Sequence, residues 1–237
     1  MIEVMLRDLR GRLALVLLLC VMLYFLEPGF HEHGPVDPEL ASEMGPLGVS
    51  ATLAYLAGLA MIVLLAGFVS TDRREGYGAI LFSHPTSPLA YYGLRWALSV
   101  ALALVAALLF LLLGQMIAWG EVRGGGAGML LALLTALIYG GLMAFFSTVL
   151  RRGDAWVVFL LFLPTFFPQL LTLLEAALPA GVHALLLFLL PPQGALQEVY
   201  RGLLLGNVVW PAVAFAAGYG VVWLGLAVAV LRVRGTA

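Results

Sequence analysis

The sequence predicts an all-α integral membrane protein with six transmembrane helices, and three observations predict it. Hydrophobic residues fill 63% of the 237 positions and charged residues only 11%, for a mean hydropathy of +1.06. A soluble domain of this size has too little interior to hide so much apolar surface, so the solvent must be mostly lipid. The apolar residues fall in runs near the roughly 20 residues that cross a bilayer, separated by short polar stretches. The arginines gather in alternate stretches, as they do when a chain threads back and forth. No internal repeat divides the chain, so it reads as a single membrane domain over 1–237.

Residues 1–12 space Ile2, Met5, Leu6 and Leu9 on one helical face among Arg7, Arg10 and Arg12. This predicts an amphipathic helix lying in the interface, ahead of a first span over Leu13–Leu26. A secretory leader would show the same basic start, but Glu27-Pro28 is a poor cleavage site, so the segment reads as retained. Cys20 lies within this span and, alone, makes neither an intrachain disulfide nor a metal cluster. Residues 27–46 carry four prolines (28, 35, 38 and 46), five acidic residues and no arginine, which predicts an exposed extracytoplasmic loop.

Leu47–Ser70 is the second span, with Ala54 and Gly58 spaced for close helix contact. The third is Leu89–Trp119, the fourth Ala127–Leu150, and the fifth Ala155–Leu174 with Pro164 and Pro168 inside it. Glu175–Gly181 breaks that pattern, and Val182–Leu190 is too short to cross alone and reads as a half-inserted return. Gln193–Leu205 is polar enough for a surface helix. Val208–Val233 is the sixth span, with Ala212, Ala216 and Gly220 on one face. Ten arginines then face one side (7, 10, 12, 73, 74, 95, 151, 152, 232, 234) and two the other (123, 201). The positive-inside rule puts the ten, and both termini, in the cytoplasm.

Between spans two and three lies the densest polar cluster in the hydrophobic body: Asp72, Arg73, Arg74 and Glu75, followed by apolar Ile80, Leu81 and Phe82, then Pro85 and Pro88. A chain that only reverses direction needs a few polar residues. This stretch, 71–88, predicts a short amphipathic helix at the cytoplasmic surface, suited to being gripped by another protein. A net charge of -1 gives no field for nucleic acid. The spans hold almost no ionisable residues, so a proton or sodium relay lacks its parts; Arg95, about two turns into the third span, can snorkel to the surface.

Pro164 and Pro168 share one helical face and free the carbonyls at 160 and 164. With Gln169 and Glu175 nearby, these residues either kink a tight bundle or line a translocation path. His31, Glu32 and His33, with Asp37 or Glu39, offer metal-ligand types, but loop residues of this kind are far more often solvated. The sequence holds no HExxH pair, GxSxG elbow or Walker A loop, and Gly124-Gly125-Gly126 lacks the Lys and Ser/Thr of a phosphate cradle. An intramembrane enzyme is the weakest reading, because the spans lack catalytic groups.

Glu75-Gly76, the helix through Ile80, Leu81 and Phe82, then Pro85, Ser87 and Arg95, resemble the permease subunit of type-2 class ABC exporters. Pro191-Pro192 ahead of Glu198, Arg201 and Leu203–Gly206 is a second similarity. The Leu-Pro-x-x-x-Pro of the fifth span is also similar to the haem-handling permease of cytochrome c maturation. The first resemblance implies a bacterial-type inner-membrane exporter subunit, paired with a second permease chain, identical or related. Its cytoplasmic helix would be a coupling helix seated on a separate ATPase subunit that binds ATP and Mg, so this chain would be no enzyme itself. The alternative is a membrane scaffold or assembly factor that recruits a soluble partner through the same stretch without transport.

Overall fold

Proline and glycine mark most of the helix ends. The protein, as a computed structural model, is described over residues 2–27, 30, 38–76, 87–166, 179 and 189–234. Within these residues all the regular structure is helical: α1 (Ile2–Leu26), α2 (Pro38–Leu64), α3 (Ser70–Glu75), α4 (Pro88–Trp119), α5 (Gly128–Val149), α6 (Asp154–Phe166), α7 (Gln193–Leu204) and α8 (Trp210–Arg234). α4 opens on Ser87, whose Oγ accepts from the Ala90 amide at 3.1 Å, with Pro88 in the first turn where its missing N–H costs nothing. It closes on Gly120 at φ +74°, the left-handed conformation that ends a helix without penalty at glycine.

Among the described residues, four helices are long and apolar enough to cross a membrane: Leu9–Leu26 within α1, α4, α5, and Trp210–Val233 within α8. The apolar parts of α2 (Val49–Leu64) and α6 (Asp154–Pro164) are shorter. α1 departs from expectation. It runs unbroken through residue 12, so the amphipathic start is the first turns of the spanning helix and not a separate interfacial element. Gly11 alone does not break it, because the residues around it are good helix formers.

The predicted loop over 27–46 is also shorter than expected. α2 begins at Pro38, where proline suits the first turn, and Glu39-Leu40-Ala41 continue it. Glu27 is not exposed but 6% accessible, and its carboxylate accepts from the Thr52 hydroxyl of α2. The surface helix expected at 193–205 is present as α7. It buries Leu196, Val199 and Gly202 and leaves Gln197 and Glu198 outside.

α5 is the centre of the bundle. Leu134, Ala136, Ile138, Tyr139, Leu142 and Met143 are all at most 2% exposed, so apolar side chains point inward around most of its circumference. Glycines set its two closest contacts. A Cβ at Gly58 of α2 would lie 2.7 Å from Phe162 and 3.1 Å from both Thr135 and Tyr139. A Cβ on Gly220 of α8 would lie 2.7 Å from the Leu137 carbonyl, and one on Gly141 would strike the Gly220 backbone. The small faces expected at Ala54–Gly58 and Ala212–Gly220 are thus contact faces, which is what dispersion-driven packing in lipid requires. α1, α4 and α8 turn Leu17, Phe25, Leu113, Ile117, Phe215 and Val221 outward, each at least 54% exposed, as lipid-facing sides do.

The bundle has two chemically distinct ends. One gathers Arg12, Arg73, Arg95, Arg151 and Arg152. At the other, buried Gln115 accepts from the Arg123 amide (2.7 Å) and donates to the Gly124 carbonyl (2.8 Å), holding the glycine turn between α4 and α5. Phe30 packs there against Tyr24, Phe110 and Trp119, with ring centroids 5.3 to 5.7 Å apart.

Candidate functional site

At the arginine-rich end α2 stops at Leu64, within an apolar run, and the chain turns through residues 65–69. Gly67, at φ +67°, makes the reversal that a side chain would strain. α3 follows, and Gly76 at φ +72° closes it by donating its amide to the Asp72 carbonyl. The chain then leaves towards Ser87 and α4. Gly76 and Ser87 therefore cap the two arms of the expected coupling segment.

The arms are clamped together. Arg95 of α4 reaches Asp72 of α3 at 3.5 Å, with the two side chains 4% and 11% exposed. Arg95 also donates to the Phe68 carbonyl at 3.2 Å and lies over the Phe68 ring, 5.7 Å from its centroid. Tyr92, one turn earlier, donates its hydroxyl to the same carboxylate oxygen, Asp72 Oδ2, 3.2 Å away. Arg95 does not snorkel to the surface as expected. It turns inward because an acceptor carbonyl, a ring face and a carboxylate together replace its water.

α3 is tied just as closely to the helices beyond. Ser147 of α5 accepts from the amides of Val69 (2.8 Å) and Ser70 (3.1 Å), two donors that no α-helical carbonyl serves. Asp154, at the start of α6, accepts from the Gly67 amide and the Ser70 hydroxyl, both at 3.1 Å. Arg73 donates to the Thr148 carbonyl at 2.7 Å, and Arg12 of α1 to the Leu64 carbonyl at the end of α2, also at 2.7 Å. α4, α5 and α6 thus each place a polar side chain on α3 or the turn before it, and α1 places one on the end of α2.

Of the residues expected to couple to a partner, Arg95, Gly76 and Ser87 build this latch. Glu75 lies at its edge, 41% exposed and 3.3 Å from Arg74. Ile80, Leu81, Phe82 and Pro85 lie outside the described residues. Sequence reading missed Asp72 as Arg95's partner, and Ser70, Tyr92, Ser147 and Asp154 altogether. The one available signal was Asp154 in the first turn of a helix after Arg151-Arg152-Gly153, a place where a carboxylate is expected to find amides.

Of the expected path residues, Pro164 is buried inside α6 and lines a cavity of about 740 Å³ between α6, α8 and the start of α7. Tyr219 and Trp223 of α8 form its far wall, and the Tyr219 hydroxyl donates to the Leu189 carbonyl at 2.7 Å. Pro168, Gln169 and Glu175 lie outside the described residues, as do His31 and His33. A smaller cavity of about 480 Å³ lies under α7 and is lined by Tyr55, Thr135, Gln193, Gln197, Tyr200 and Arg201. Burial, and then the Glu27 carboxylate, raise the Tyr200 phenol above its ordinary value, so it stays a neutral hydroxyl. Among the described residues no group of three or more His, Cys, Asp or Glu could hold a metal ion. Comparison of the chain with protein-family models, with curated proteins and with solved structures gave no match.

Proposed function

We propose that this chain is the transmembrane subunit of an ATP-driven exporter of the type-2 ABC class. It crosses a bacterial-type inner membrane six times, with both termini cytoplasmic, and works beside a second permease chain. The observation that carries this reading is the latch. A connector that merely joined two spans would gain nothing from a buried ion pair between its arms and hydrogen bonds to three helices. A connector that receives a push needs both, because force on a loose loop moves only the loop. Here a displacement at residues 76–87 reaches α4 through Arg95, α5 through Ser147 and α6 through Asp154.

The 27 residues of α2 span about 40 Å at 1.5 Å per residue, enough for a second crossing. α6 is the described part of the fifth. ATP and Mg belong to a separate ATPase subunit, since this sequence carries no Walker A loop. The cavity beside Pro164 supports a substrate path next to α6.

The test is the purified complex with its ATPase in liposomes. Glu75→Arg, at the exposed edge of the latch, is expected to leave membrane insertion intact while uncoupling ATP hydrolysis from transport. Replacing Leu81 and Phe82 with Ser is expected to do the same. Unaltered coupling in both variants refutes the reading, and an associated soluble partner that hydrolyses no ATP would favour the scaffold instead.

A further inference from the structure

Four arginines converge beside the latch on a hollow of about 660 Å³: Arg73 and Arg74 from α3, Arg151 and Arg152 from the turn between α5 and α6, with Ser70 at the base and Leu150 as an apolar wall. We infer that this hollow binds a phosphate group, and that its source is the headgroup of an anionic lipid.

The charge balance is the first ground. The nearest carboxylates are committed elsewhere: Asp72 to Arg95 and Tyr92, and Asp154, 4% exposed, to the Gly67 amide and the Ser70 hydroxyl. Glu75 neutralises only Arg74, at 3.3 Å. Arg73 keeps its full charge while one of its N–H groups holds the Thr148 carbonyl. Arg151 and Arg152 are exposed, and among the described residues neither has a hydrogen-bond or ion-pair partner. Arginines that repel one another across a shared hollow, with unused planar forks, are a receptor for an anion with several oxygens.

Depth is the second ground. α5 is 22 residues long, about 33 Å, and the hydrocarbon layer is about 30 Å. Arg151 and Arg152 follow it after one further residue, Leu150, so they sit where headgroup phosphates lie and not out in the aqueous phase. Leu150 gives the glycerol and acyl carbons an apolar side to follow. The carboxylates of a soluble protein fit this position less well, since they would have to enter the headgroup layer. The inference rests on the membrane placement of the chain and is independent of any ATPase.

Native mass spectrometry of the detergent-purified chain tests it, with phosphatidylglycerol and phosphatidylcholine of matched acyl chains as probes. The wild type is expected to retain phosphatidylglycerol selectively. Arg151→Gln/Arg152→Gln should lower that retention roughly tenfold or more. Arg10→Gln/Arg232→Gln, equal in charge removed and elsewhere on the surface, should change it little. Inorganic phosphate and glycerol 3-phosphate are then added as competitors. Failure to compete assigns the site to lipid, whereas displacement at low millimolar concentration assigns it to soluble phosphate. Equal retention by the wild type and the Arg151/Arg152 variant overturns the inference, including the case where that variant instead loses a bound acidic polypeptide. Equal loss in both double variants overturns it too, because the effect is then net charge alone.

Discussion

Ser147 shows how a small side chain can hold a large structure. Its single oxygen serves two buried amides, Val69 and Ser70, where the backbone has left helical geometry. Ser147→Ala strands both in a place water does not reach. We expect a loss of about 2 kcal/mol, read as a lower thermal midpoint in detergent, with Ser147→Thr recovering most of it. Asp72 is the harsher case. Its removal leaves the Arg95 charge buried beside one carbonyl and a ring, and Asp72→Ala is expected to cost about 3 kcal/mol or more. The double variant Asp72→Ala/Arg95→Met removes both charges and should be more stable than Asp72→Ala alone, since the buried guanidinium that lost its carboxylate is gone. A double variant no better than the single one would show that the pair contributes nothing beyond packing. Neither residue's role was legible in the sequence. Asp72 and Arg95 are 23 positions apart on different helices, and no periodicity links them; Ser147 is one hydroxyl among apolar neighbours.

The limits of α4, α5, α7 and α8 lay within a residue or two of expectation, because each is bounded by chemistry that acts locally: Ser87-Pro88, Gly120, Arg151-Arg152-Gly153, and Pro191-Pro192 ahead of Gln193. Expectation failed at residues 38–46, where proline was read as helix-breaking, and at residues 2–12, where the amphipathic helix was read as separate from the first span. At a helix start, proline costs nothing, and arginines spaced among leucines favour a helix whether or not it lies in lipid. Contacts between helices were half legible. Small residues at Ala54–Gly58 and Ala212–Gly220 marked which faces touch, but not that both faces meet α5. Gly220 tests that geometry: Gly220→Val drives a side chain into the Leu137 carbonyl, 2.7 Å from the first new carbon. Backbone cannot yield as a flexible side chain does, so α8 must shift away. The expected outcome is a loss of about 3 kcal/mol, seen as early proteolysis between α7 and α8, whereas Gly218→Val, on an open face, should be silent.

For the whole molecule, the division of arginines agrees with the two ends of the bundle. Arg12, Arg73, Arg95, Arg151 and Arg152 share the end with the latch, and Arg123 lies with Gln115 at the other. What the bundle alone does not carry is a direction, and the arginine excess supplies one. In a Cys20→Ser background, Glu75→Cys is expected to resist an impermeant thiol reagent added outside intact cells, and Glu121→Cys to react with it. Labelling in the opposite pattern would invert the topology and remove the latch from the reach of a cytosolic motor.

The placement of α5 also governs the order in which the chain can be made. The helix leaves the ribosome after α2, and its Gly58-facing side meets a partner that is already made. Its Gly141 side has no counterpart until residues 210–234 emerge. Until then lipid must lie against a bare glycine notch. The seat at Gly141 is therefore filled only once α8 is made, and a nascent chain stalled before Trp210 presents membrane quality control with an open seam along α5.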